Sequence, residues 1–290
     1  MTLHHFLGII LILGTITACD QVESEVSQKL VVGAIAYGEG DRSLEQYSDL
    51  QNYLSVQLKS IIEIEPAYNE IQALDRLAKQ KWDLALTSSG LTAIAISRYQ
   101  YQPIIPLEGV EKVRSAIVVE QDSNLKNIAD LKGKTIALGQ EGSATSYYLP
   151  IYNLYGLALK EVRFSPTPQT SLEWLGQKKV DAAALSLQEF NQYRQNLSQQ
   201  QFRILNVDPH TIPSGAIIIA DKIEPEQARA IKNVLSQAPS HIAASANFLP
   251  NEPVTEYEYL IQVIERVIPI SERIKEQPAL FYESESSLAK

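Results

Sequence analysis

The residues best able to do chemistry lie at glycine turns. Gly139-Gln140-Glu141-Gly142-Ser143-Ala144-Thr145-Ser146-Tyr147 follows an apolar run and opens a helical pattern. Gly142 lets the chain bend. Ser143, Thr145 and Ser146 place hydroxyls beside the free N–H groups of a helix start, where the partial positive charge suits phosphate, phosphonate or another oxyanion. The same hydroxyls could simply cap the helix, and spacing alone leaves both readings open. Thr87-Ser88-Ser89-Gly90 repeats the arrangement after another apolar run. Tyr68, and Tyr37 ahead of Gly38 and Gly40, each follow a strand-like segment, where ligands collect in parallel sheets. Arg114 could make a charge-assisted bond to an anion, or could be an ordinary surface arginine. Asp83 and Asp181 stand at strand entries, the opposite end, and read as structural.

Other chemistries lack their residues. The four histidines, His4, His5, His210 and His241, have no metal-ligand spacing. There is no Gly-x-Ser-x-Gly elbow, no nucleotide-binding glycine fingerprint and no zinc helix. The expectation is a protein that binds rather than catalyses, with no cofactor and no metal.

These turns need elements to hold them. Apolar runs at 30–36, 61–64 and 82–86 read as strands, separated by helical patterns at 44–58 and 71–78, with a further helical stretch at 91–96. A second round has strands at 135–138, 162–164 and 182–185 and helices at 145–155 and 171–177. The rounds share a local match: Leu77 to Leu86 aligns with Leu175 to Ala184, each a helix end, a basic turn, an Asp and a strand. Apolar runs at 115–119 and 215–220 flank the second round. The fold class is therefore α/β, with two similar lobes of mostly parallel sheet joined by two crossing segments. Lobe one would comprise residues 30–115 and 215–290, closed by helices over 224–235 and 254–268; lobe two would be 116–214. A cleft between lobes permits hinge closure on a small ligand.

Composition agrees. Of 290 residues, 45% are hydrophobic and 20% charged, which is ordinary for a globular chain. A net charge of −9 argues against nucleic acid and against an anionic lipid surface, without excluding a locally bound anion. The single cysteine, Cys19, excludes intrachain disulfides. It follows an apolar run from Phe6 to Leu13 and the small and medium residues of Ile16-Thr17-Ala18, and this order resembles the lipobox of bacterial lipoproteins. By that resemblance residues 1–18 are a signal peptide, Cys19 is acylated, and 19–29 form a lipidated tether to a membrane. The leader departs from the pattern in lacking Lys and Arg.

The ordered set of segments resembles the phosphonate/phosphite/phosphate-binding proteins of ABC transporters, with the type II periplasmic binding fold, over most of residues 30–240. The matching stretches are Tyr47 to Ser55, Trp82 to Leu86, Arg114-Ser115 with Asp122-Ser123, Asp130-Leu131-Lys132-Gly133-Lys134-Thr135-Ile136-Ala137, Ser143-Ala144-Thr145 with Tyr147 and Pro150, Val180 to Ala184, and Ile212-Pro213. The resemblance implies that Ser143, Ala144 and Thr145 hold the oxyanion, with Tyr68 and Thr87, Ser88 and Ser89 contributing from lobe one. Val113 stands where the family often has Tyr, and Ser165 to Thr170 replaces a histidine-containing stretch. An acid sometimes found after the Asp-Ala-Ala strand is replaced around Leu187-Gln188, with Glu189 nearby, which disfavours an aminophosphonate.

The function expected from this is a monomeric, membrane-anchored solute-binding lipoprotein on the periplasmic or extracellular face of the cytoplasmic membrane. It would capture a phosphorus oxyanion and deliver it to an ABC permease. The alternatives are a ligand sensor for a membrane signalling partner, or a binder of a non-phosphorus ligand on the same scaffold.

Overall fold

The computed structural model describes residues 28–36, 42–109, 113–197 and 200–283. Cys19, the leader, Tyr37, Gly38 and Gly40 lie outside the described residues.

The first round builds β1 (Lys29–Ile35), α1 (Arg42–Glu45), α2 (Ser48–Leu58), β2 (Ile61–Ala67), α3 (Glu70–Ala78), β3 (Leu84–Ser88), α4 (Ser89–Tyr99) and β4 (Tyr101–Pro106). The second builds β5 (Ser115–Glu120), β6 (Thr135–Leu138), a π-helical turn (Ala144–Tyr148), α5 (Leu149–Asn153), β7 (Ala158–Leu159), β8 (Glu161–Phe164), α6 (Pro168–Gly176), β9 (Ala182–Ser186), α7 (Leu187–Tyr193) and β10 (Phe202–Val207). The chain returns through β11 (Gly215–Ala220), α8 (Pro225–Ser236), α9 (Ser240–Ser245), α10 (Glu258–Val267) and β12 (Ala279–Leu280).

Two five-stranded sheets result, ordered β2-β1-β3-β11-β4 and β10-β5-β9-β6-β8. Both are mixed, which refines the expected mostly parallel sheets. In each, three strands are joined by parallel pairings and the other two pairings are antiparallel. The reason lies in the connections. β5 and β11 carry the chain from one lobe to the other, so they run against the strands made by local strand–helix–strand crossovers.

Period-two alternation gives each sheet two apolar faces. Ile217 and Ile219 of β11 join Leu30, Val32 and Ala34 under α2, α8 and α9, whereas Ala216, Ile218 and Ala220 join a second core. On β5, Ala116 and Val118 pack with Leu172, Leu175 and Phe190, whereas Ile117 and Val119 enter that same second core. The second core is thus continuous between the lobes. α10 anchors it with Leu260, Val263, Ile264 and Val267, the spacing of one helix face. This helix packs on α4 and also on α5. β12, within the span expected for lobe one, pairs with β7 beyond the first crossing.

The two similar turns before the strands prove to be the same device. The Asp83 carboxylate accepts the Val31 N–H at 2.7 Å, and Asp181 accepts the Thr135 N–H at 2.8 Å. Their own N–H groups donate back to the Val31 and Thr135 carbonyls. Each aspartate ties its strand to the neighbouring parallel strand, and Asp83 also pairs with Lys222 at 2.8 Å.

Candidate functional site

β3 and β9 end on serines. Ser88 and Ser186 occupy the same place in the internal match, extended two residues beyond Leu86 and Ala184. Each is the N-cap of the following helix. Ser186 caps α7 through a capping box: its hydroxyl accepts the Glu189 N–H at 3.1 Å, and the Glu189 carboxylate accepts the Ser186 N–H at 2.8 Å. Ser88 makes no cap bond, and its hydroxyl oxygen is buried with no hydrogen-bond partner among the described residues. A buried hydroxyl without a partner is costly unless something else meets it.

The loop after β6 supplies the facing wall. The Ser143 hydroxyl accepts the Ser146 N–H and the Ser146 hydroxyl, at 3.2 and 2.6 Å. The chain then winds as a π-turn, with Tyr148 N–H bonded to the Ser143 carbonyl and Leu149 N–H to the Ala144 carbonyl. Such wider turns are rare and recur at functional sites. Ser115, on the first crossing strand, fixes it by donating to the Thr145 carbonyl at 2.6 Å.

The two walls meet around a cleft of about 330 Å³. Ser88, Ser89, Ser143, Ala144 and Thr145 all line it, so the structure brings together five of the residues selected from sequence. Gly90 marks the contact between walls. A Cβ built there would lie 2.1 Å from the Gly142 carbonyl oxygen and 2.7 Å from the Ala144 nitrogen. Gly142 itself has φ of 108°, a conformation that favours glycine.

The other five selected residues point elsewhere. Tyr68 is 51% exposed and does not line the cleft; its N–H donates to Gln72 while Asn69 caps α3. Thr87 is fully buried, sharing a 2.8 Å bond with Thr92 and donating to the Ala216 carbonyl. It precedes Ser88 on the strand and so faces the opposite side. Arg114 obeys the same rule. Val113 lines the cleft and Ser115 reaches Thr145, so the residue between them turns away, and its Nε donates to the Asp208 carbonyl at 2.8 Å. Ser146 bonds Ser143 from behind the wall. Tyr147 is buried edge-on against Tyr148 and beside Phe164, and burial pushes its phenol pKa well up.

Sequence reasoning missed most of the remaining lining. Glu70 follows the Asn69 cap and is 8% exposed. Glu108 and Ser214 come from the two crossing segments, and Gln188, Glu189 and Gln192 from α7. Ser186-Leu187-Gln188-Glu189 is a capping-box signature that would have placed α7. Glu189, which stands beside the replaced position, lines the cleft. Burial raises its pKa, against the opposing effect of the Ser186 hydrogen bonds. Among the described lining residues the charged ones are glutamates, and neither Lys nor Arg is present.

Two lobes, two crossing segments and a polar cleft at the strand ends define a solute-binding protein of the periplasmic type. The chain matches the family model for ABC transporter, phosphonate, periplasmic substrate-binding protein over residues 32–257. It belongs to that family. Solved structures share the fold at low identity. XAC2383 from Xanthomonas citri bound to ATP is 19% identical, with 83% of this chain and 98% of that one covered at a TM-score of 0.71. PhnD1 from Prochlorococcus marinus, in complex with methylphosphonate, is 18% identical over 83% and 98%, at 0.65. The periplasmic aliphatic sulphonate binding protein SsuA from Escherichia coli is 19% identical over 87% and 95%, at 0.55. No curated protein matches the sequence. Family membership implies an extracytoplasmic location. Among the described residues, no helix is long and apolar enough to cross a membrane.

Proposed function

We propose that this family member captures a small phosphorus oxyanion (phosphonate, phosphite or phosphate) between its lobes and presents it to an ABC permease, without turning it over. The observation that carries this reading is the convergence of Ser88 and Ser89, at the start of α4, with Ser143, Ala144 and Thr145, at the start of the π-turn, on one cleft. Helix starts aim N–H groups and partial positive charge at the ligand, and the serine and threonine hydroxyls complete its shell. Neutral donors hold an anion when every oxygen is paired. Ser88, with its unpartnered buried hydroxyl, is the donor best placed to gain a partner.

The same reading divides the chain into a leader at 1–18, a tether at 19–29, lobe one at 30–115 and 215–290, and lobe two at 116–214. Cys19 carries the lipid anchor and the body is a monomer. Isothermal titration of residues 20–290 with phosphate, phosphite, methylphosphonate, aminoethylphosphonate, sulfate and small organic acids tests it. Selective binding of one phosphorus oxyanion is expected. Ser143→Ala or Thr145→Ala should weaken it by about tenfold, the loss of roughly one hydrogen bond to an anion. Unchanged affinity in both variants removes this site. Preference for an organic acid moves the ligand outside the phosphorus class.

A further inference from the structure

We propose that the cavity between α5 and α10 is a second binding site, separate from the cleft, for a small aromatic monocarboxylate.

The cavity measures about 560 Å³, within the size range of small-molecule sites and larger than the cleft. Tyr152 and Asn153 of α5, with Tyr155 in the turn that follows, form one side. Arg266, in the last turn of α10, and Glu283, after β12, complete it. None of these residues lines the cleft. The chemistry of the two places is opposite. The cleft gathers glutamates and neutral hydroxyls, whereas this cavity holds an arginine.

Arg266 reaches the Tyr152 hydroxyl at 3.5 Å, a long contact, and enters none of the ion pairs found among the described residues. A guanidinium carries five N–H donors in a planar fork, which a carboxylate meets with two parallel charge-assisted bonds. Rings stand beside that fork. Tyr155 is 54% exposed, so folding leaves much of its aromatic face in water. An aromatic ligand body laid against it would remove apolar surface of both partners from water. Glu283 limits the ligand's charge. A second carboxylate, or a phosphate dianion, would meet it as a like charge.

The walls are fixed without a ligand. Asn153 donates through Nδ2 to the buried Asp208 carboxylate at 2.7 Å, and the same carboxylate accepts the His210 N–H at 2.8 Å. The His210 ring in turn stacks on Tyr259 of α10, with ring centres 4.4 Å apart. α5 is thereby tied to the second crossing segment, and that segment to α10. A site held in this way loses little freedom when it is filled.

The acid 2-naphthoate and its amide, 2-naphthamide, make the test, because they share an outline and differ by one charge. Calorimetry at neutral pH would compare them on the wild-type protein. The acid should bind with a dissociation constant of about a millimolar or below, and at least about tenfold tighter than the amide. Arg266 is exposed, so Arg266→Gln should leave the melting temperature unchanged. It should weaken the acid at least about tenfold and move the amide by less than about threefold. No saturable binding of the acid at about ten millimolar would overturn the proposal. Equal wild-type affinities for acid and amide would do the same, and that comparison needs no variant. So would wild-type affinity for the acid in Arg266→Gln, which would place the acid elsewhere on the protein. None of these measurements depends on what the cleft binds.

Discussion

Gly90→Ala isolates the contact that brings the two walls together. Gly90 is the second residue of α4, and its backbone is helical, so an added methyl group introduces no dihedral strain. Within an isolated helix the change would stabilise, because alanine is favoured over glycine by about 1 kcal/mol. Across the cleft the effect reverses. The new Cβ would lie 2.1 Å from the Gly142 oxygen and 2.7 Å from the Ala144 nitrogen. Both are backbone atoms, so no side chain can rotate aside, and the Gly142–Ala144 loop is itself pinned by the Ser143 and Ser115 bonds. The remaining relief is to move the walls apart by more than an ångström. Overpacking of this kind costs about 1–3 kcal/mol, which here falls on closure rather than on folding. Ligand affinity should drop by roughly 5- to 150-fold. The melting temperature without ligand should hold or rise. Small-angle scattering with saturating ligand should show a radius of gyration larger than the wild type's. Wild-type affinity together with wild-type scattering would refute the reasoning, since the walls could not then need this glycine to meet. A lower melting temperature would show that the contact stabilises the fold rather than the closed cleft.

Two further outcomes follow from features away from the donor wall. Asp181→Ala leaves the Thr135 N–H without its acceptor and should cost about 1–3 kcal/mol in urea unfolding while ligand affinity stays at the wild-type value; an unchanged midpoint would remove the strand-tying role. Cys19→Ser should release the full-length protein from the membrane fraction and abolish labelling by a fatty-acid probe, and membrane retention in that variant would exclude the thiol as the anchor.

Much of the fold is legible in the sequence because its signals are local. Continuous apolar runs at 215–220 and 115–119 mark strands buried on both faces, and both are found. The shared Asp positions reveal two rounds of one plan, and Asp83 and Asp181 indeed make the same bond. Other elements carried weaker signals. β10 mixes polar and apolar residues at one sheet's edge, and α7 spans seven residues with Phe190 its one buried side chain. Too little apolar surface is at stake there for periodicity to speak. Helix 145–155 divides into a π-turn, capped by the Ser143 hydroxyl, and α5.

For the site, sequence alone determined which strand-to-helix turns open on the cleft. Ser88, Ser89 and Ser143 to Thr145 follow strands and open helices, a relation written in the order of residues. Direction was decided by tertiary structure. Arg114 was the natural cation for an anion site, yet the Val113–Ile212 bridge between crossing segments sets the strand's phase so that Val113 faces the cleft and Arg114 faces Asp208. Glu70 and Glu189 lie 119 positions apart in the chain and share a cleft only because one apolar core packs the two rounds together. A local pattern fixes which residues can donate or accept. Which of them meet depends on strand phase and lobe contact, and those follow from burying apolar surface far from the site.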